Sequence, residues 1–119
     1  MTIAGSYVKQ PSEQETIKID WSKRAASLVV SGYAISTVTV AIYDSAGVDV
    51  SDDELGPPIV VGLLKDIPSF LGTDLFFTVK AGESGQDYDA KITVTLTKGG
   101  YVDQIQEEDL KIVVREKSL

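Results

Sequence analysis

The run from Tyr88 to Thr97 constrains the fold more than any other stretch. In it Tyr88, Ala90, Ile92, Val94 and Leu96 alternate with Asp89, Lys91, Thr93, Thr95 and Thr97. A side-chain period of two belongs to a strand with one buried and one wet face; a helix would scatter the same residues around its axis. The signature recurs along the chain. Ile17, Ile19 and Trp21 oppose Thr16, Lys18 and Asp20, which is read as the first strand, and Val38, Val40 and Ile42 oppose Thr37, Thr39 and Ala41. Leu75, Phe77 and Val79 then oppose Asp74, Thr78 and Lys80, with Phe76 on the outer side.

Turn signals separate these runs: Asp44-Ser45-Ala46-Gly47, Gly56-Pro57-Pro58, the glycine-bearing segment 81–86 and Lys98-Gly99-Gly100. Residues 59–64 read as a short edge strand, because the prolines beside them lack amide donors. Residues 22–28 read as a short helical turn between strands, with Ser22 as its cap. Residues 101–105 and then Leu110, Ile112 and Val114 supply the last strands, with Glu107-Glu108-Asp109 as a solvent-facing approach to the final one.

Six to eight short strands without a long helix predict an all-β, antiparallel fold, with a β-sandwich as first choice. A small closed barrel satisfies the same alternation, which does not separate the two. The length of 119 residues allows one core, since domains usually come in units of about 100 to 150 residues. The reading is a single domain, 1–119, with its core over about residues 14–116 and a flexible N-terminal arm over 1–12. That arm contains no apolar run of signal-peptide type, so no targeting is expected from it.

Histidine and cysteine are absent. That excludes imidazole acid/base catalysis, thiol nucleophiles, disulfides and zinc sites built on those ligands. With 11 Lys+Arg against 18 Asp+Glu the formal charge is -7, the wrong sign for a nucleic-acid backbone or an anionic membrane. Neither is an expected partner, and no cofactor is expected.

Several elements together resemble a known group. These are Lys9-Gln10-Pro11 with Glu15, then Ile17-Lys18-Ile19-Asp20-Trp21-Ser22, the run Ile35-Ser36-Thr37-Val38-Thr39-Val40, and the turn Ala81-Gly82-Glu83-Ser84-Gly85-Gln86-Asp87-Tyr88. The strand 91–97, the Lys98-Gly99-Gly100 turn and the closing run 110–116 complete the series. In this order they resemble the small immunoglobulin-like virion proteins of tailed bacteriophages and prophages, described as fibre-tail adaptor or virion accessory proteins. The segment 44–70 is longer than that pattern expects. The resemblance implies an immunoglobulin-like sandwich with no catalysis. It implies other phage structural proteins as partners, residence in the virion, and the host cytoplasm as the place of assembly.

Trp21 is in phase with Ile17 and Ile19 and is expected in the core. Gly82 and Gly85 permit a tight turn, and Tyr88 is placed to bury its ring and tie its hydroxyl to backbone, as in the tyrosine corner of sandwich folds. Asp49, Asp52, Asp53 and Glu54 are the densest acidic group; their spacing is not that of an EF-hand, so they are weak calcium candidates and better read as a solvated loop. An apolar stretch including Ile59, Val61, Leu63, Phe70 and Phe76 is the candidate interface, for a partner or for homo-oligomer formation. The alternative function is a carbohydrate or cell-surface binding module using calcium. A hydrolase built on paired carboxylates is disfavoured by size, which leaves little chain for a cleft.

Overall fold

The computed structural model describes residues 3–53 and 61–116. Seven strands and one short helix follow in the order β1 (Ile3–Lys9), β2 (Glu15–Asp20), α1 (Ala26–Val30), β3 (Ala34–Tyr43), β4 (Leu64–Leu71), β5 (Asp74–Val79), β6 (Asp87–Thr97) and β7 (Gln104–Val114). They form two sheets, ordered β1-β7-β6-β3 and β2-β5-β4. The second, fifth and fourth strands share one sheet while the third, sixth and seventh share the other, which is the division of an immunoglobulin-like β-sandwich. The first strand lies on the edge of the larger sheet, beside the last.

The alternating residues meet between the sheets. Trp21, Ile42, Leu75, Ile92, Leu96 and Ile112 are all fully buried there. Strand β6 is central to its sheet and loses no inward position to water: Tyr88, Ala90, Ile92, Val94 and Leu96 are each buried. At about 25 cal/mol per Å² of apolar surface removed from water, such a row is the main source of stability.

Four elements differ from the sequence-based expectation. Residues 3–9, expected as part of a loose arm, are strand β1, paired in parallel with β7 from Ile3↔Asp109 to Lys9↔Val114. The other strand pairs are antiparallel. A strand that covers one edge of a sheet needs no apolar alternation, so Ala4, Gly5 and Ser6 carry no signal. The described part of the edge strand begins at Leu64, leaving residues 61–63 outside it, and runs through Pro68; residues 59–60 lie outside the described residues. Its register with β5 shifts between Lys65 and Ser69, the irregularity expected where proline cannot donate and tolerable because β4 has only one neighbour.

Strand β7 is continuous for 11 residues and contains Glu107, Glu108 and Asp109; it is not preceded by an acidic approach segment. Lys91 pairs with Asp109 and Thr93 with Glu107 across β6, and Lys91 forms an ion pair with Glu107. The cross-strand cation compensates acids inside a strand. Finally, the helix starts at Ala26 and Ser22 does not cap it. The Ser22 amide instead donates to Asp20 Oδ1, a local turn that competes with helix entry.

The long middle connection is stitched between the sheets. The Val50 amide donates to the Ile42 carbonyl, the Leu63 amide to the Val50 carbonyl and the Leu64 amide to the Ser51 carbonyl. Residues 50–51 therefore bridge β3 and the start of β4, closing one side of the sandwich.

Candidate functional site

The pairing registers place the β2–β3, β4–β5 and β6–β7 connections at one end of the sandwich. They are tied to one another. The Trp21 amide donates to the Thr73 carbonyl at 2.9 Å, and Trp21 Nε1 donates to Gln106 Oε1 at 2.9 Å. Gln106 Nε2 in turn donates to the Arg24 carbonyl at 3.0 Å, and Arg24 Nε lies 3.4 Å from the Glu108 carboxylate. The Tyr33 hydroxyl donates to the Val102 carbonyl at 3.2 Å. Lys98 Nζ donates to the Ser31 carbonyl and sits 4.4 Å from the centre of the Tyr101 ring.

These ties spare the apolar side chains. Val30 is 88% exposed, Val102 80% and Leu71 75%, and Val29, Tyr101 and Ile105 are exposed beside them in sequence. Large exposed apolar side chains in and beside the connections at one end of a sandwich, with those connections held by hydrogen bonds, form a preorganised contact surface. Their signal in the sequence was apolar residues beside glycine turns, out of phase with the strands: Val29 and Val30 before Gly32, and Tyr101, Val102 and Ile105 after Gly100. Leu71 alone of these lies inside the apolar stretch expected to form an interface.

The opposite end carries a groove of about 470 Å³ lined by Asp44, Ser45, Val50, Val61, Leu63, Ala81, Gly82, Glu83, Gln86 and Tyr88. A cleft of this size was not expected from the chain length. Tyr88 is buried, and its hydroxyl accepts the Glu83 amide at 3.0 Å, which is the tyrosine-corner arrangement. Gly82 has φ +93°, and a Cβ there would lie 2.9 Å from Val114 Cγ2. Gly85 has φ +87° with open space around it. Ala81, without glycine's freedom, also stands at positive φ, 55°.

Lys9 supports that backbone. It is buried, and its Nζ donates to the Gln10 carbonyl at 2.6 Å, to the Pro11 carbonyl at 3.3 Å and to the Ala81 carbonyl. Burial pushes its pKa down, opposed by the charges of Glu13 and Glu15. Three carbonyl acceptors replace water around the ammonium, so the lysine pins β1 to the turn that precedes Tyr88. A lone lysine next to glutamine and proline gave no hint of this.

The candidate interface from sequence does not assemble into one surface. Leu63 is core, only 3% exposed; its amide donates to the Val50 carbonyl and its carbonyl accepts the Lys80 amide. Val61 lines the groove at the Tyr88 end. Phe70 stands opposite Leu75 near the other end of β4. Phe76 is half-buried on the outer face of β5, between Lys18 and Ser69. Ile59 lies outside the described residues.

The acidic group has local duties. Asp49 Oδ1 accepts the Ser51 amide at 2.9 Å and the Ser51 hydroxyl at 2.7 Å, and these bonds hold its pKa below the usual carboxylate range. Ser51 Oγ accepts the Ile42 amide at 2.7 Å. Asp53 Oδ1 accepts Lys80 Nζ at 2.9 Å and the Gly62 amide at 2.7 Å, which lower its pKa likewise. Asp52 is exposed, and Glu54 lies outside the described residues. Among the described residues no three metal-ligating side chains gather. The chain matches no protein-family model, and no curated protein is recognisably similar to it in sequence.

Proposed function

We propose that the chain is a non-enzymatic structural module of a phage or prophage virion, an immunoglobulin-like domain that bridges or decorates tail, fibre or head components through protein contacts. The carrying observation is the tied loop end presenting Val30, Leu71, Tyr101, Val102 and Ile105 to solvent. Exposed apolar side chains in water are a cost that docking removes, and interface centres favour such residues. The Asp20-Trp21-Ser22 and Gly82 to Tyr88 elements support the virion context through their resemblance to adaptor and accessory proteins. The acidic charge of -7 suits a part that stays soluble and avoids nucleic acid while it waits for assembly.

The test is particle association. Particles from an induced culture carrying the gene are purified on a density gradient, and the chain is detected by antibody. It is expected in the particle band, and the double variant Val30→Asp, Val102→Asp is expected to leave that band for the soluble fraction while keeping its fold. A wild-type chain found only in the soluble fraction overturns the reading.

A further inference from the structure

A module that bridges needs a second contact surface, and this inference rests on that reading. The groove at the Tyr88 end has an apolar floor of Val50, Leu63 and Tyr88 and an exposed apolar wall at Val61. Two carboxylates, Asp44 and Glu83, stand on its lining. Asp44 is fixed in place, since its Oδ1 accepts the amides of Ala46 and Val48, each at 2.9 Å. Glu83 is fixed at its backbone by the Tyr88 hydroxyl. Among the described residues, no donor reaches Asp44 Oδ2 or the Glu83 carboxylate. Four cations have partners elsewhere: Lys80 is paired with Asp53, Arg115 and Lys111 with Asp87, and Lys9 with carbonyl oxygens.

An apolar floor beside two uncompensated acids, on a chain of charge -7, complements a side chain that is apolar along its stem and cationic at its head. We propose that the groove is a docking site for an arginine, or less tightly a lysine, presented by an extended segment of a partner protein. The stem lies against Val61 and Leu63, and the head faces Asp44 and Glu83. Arginine is favoured because its planar fork bonds carboxylates in pairs and sheds water more readily than an ammonium.

The probe is the blocked tripeptide acetyl-Gly-Arg-Gly-amide, titrated into the isotope-labelled full chain and followed by backbone amide shifts. Its uncharged citrulline counterpart is the control. Saturable shifts at residues 44–45, 61–63 and 82–88 are expected with arginine, weakening as salt is raised. Glu83→Gln and Asp44→Asn should each weaken binding about two- to five-fold, the range of a partly exposed ion pair. Both substitutions keep an acceptor oxygen, and unchanged shifts elsewhere verify the fold. Equal shifts with citrulline, arginine shifts scattered over the acidic surface, or undiminished binding by the variants would overturn the proposal. A crystal structure with residues 54–60 seated in the groove would do so too. Failure here leaves particle association through the Val30 and Val102 end standing; loss of particle association with arginine binding intact overturns the bridging reading and not the groove.

Discussion

The two ends of the sandwich are finished by opposite means. At the Tyr88 end, buried polar groups close on the main chain: Tyr88 on the Glu83 amide, Lys9 on the Ala81 carbonyl, and Ser51 on the Ile42 amide. Gly62 and Gly82 sit there where a Cβ does not fit. At the other end the loops are tied mainly by side chains that are partly or wholly accessible, such as Arg24, Tyr33, Lys98 and Gln106. Apolar side chains are left facing out. Substitutions at the first end should therefore be felt in folding, and substitutions at the second in contact with partners.

The sharpest way to break that contrast is Gly62→Ala. A Cβ at position 62 would overlap the Asp52 carbonyl carbon and the Ser51 carbonyl oxygen, both backbone atoms of the segment that accepts the Leu64 amide. The stitch must open to admit it, so a loss of about 3 to 5 kcal/mol is expected, in the range of severe core and backbone disruptions. Chemical denaturation reads it as a large fall in the midpoint; a midpoint near wild type would show the stitch to be dispensable.

Next in size is Gly82→Ala. It adds left-handed strain at φ +93° to a Cβ placed 2.9 Å from Val114 Cγ2, together about 2 to 4 kcal/mol. Tyr88→Phe removes only the acceptor of the Glu83 amide and should cost about 1 kcal/mol, with an unchanged denaturant slope. If Tyr88→Phe proves as damaging as Gly82→Ala, the ring packing has shifted as well, and the corner is more than a single hydrogen bond.

How far each end was legible follows from the same physics. Alternation is local, so β2, β3, β5 and β6 could be read from Ile17, Val38, Phe77 and Ile92 and their neighbours. The Tyr88 corner was also legible, because its glycines and its tyrosine lie within seven residues of one another. Lys9 was not, since its partner Ala81 is 72 positions away and no local rule marks a lysine for burial. Strand β1 was hidden for a related reason: parallel pairing with β7 is decided by tertiary contact, and Gly5 and Ser6 have poor strand propensity. The loop end was missed because the β2–β3 and β6–β7 connections, which carry Val30 and Val102, are joined only by long-range bonds such as Tyr33 to the Val102 carbonyl and Lys98 to the Ser31 carbonyl, and an isolated apolar residue beside a glycine turn is ordinary.

A smaller effect tests the electrostatic side of the locked end. Asp49 and Asp53 have pKa values held below their ordinary one by Ser51 and by Lys80 with the Gly62 amide, in that order. A depressed folded pKa stabilises the fold above the unfolded value of 3.8, and that contribution disappears as pH falls through the folded pKa. Stability should therefore decline from about pH 5 downward, as other carboxylates contribute in parallel. Asp49→Asn should flatten the decline, because asparagine keeps an acceptor for Ser51 without titrating. Denaturation midpoints across this range compare the two proteins, and parallel curves would remove Asp49 from the account.

The smallest folding effect is expected at the loop end, where it is most informative. Val102 is 80% exposed, and its carbonyl, not its side chain, receives the Tyr33 hydroxyl. Val30 is 88% exposed and ends α1 without a contact in the core. Val30→Asp and Val102→Asp therefore remove little that the folded monomer uses, and each should change stability by less than about 0.5 kcal/mol. The same charges placed at a docked interface would be desolvated without a partner and should weaken association by tenfold or more, about 1.4 kcal/mol or above. A folding loss comparable to Tyr88→Phe would mean that these side chains pack inward in solution, and the contrast between the ends would fail. A folding change near zero with association intact would keep the contrast and move the partner to another face. Only near-zero folding change together with lost association assigns contact to this end and architecture to the other.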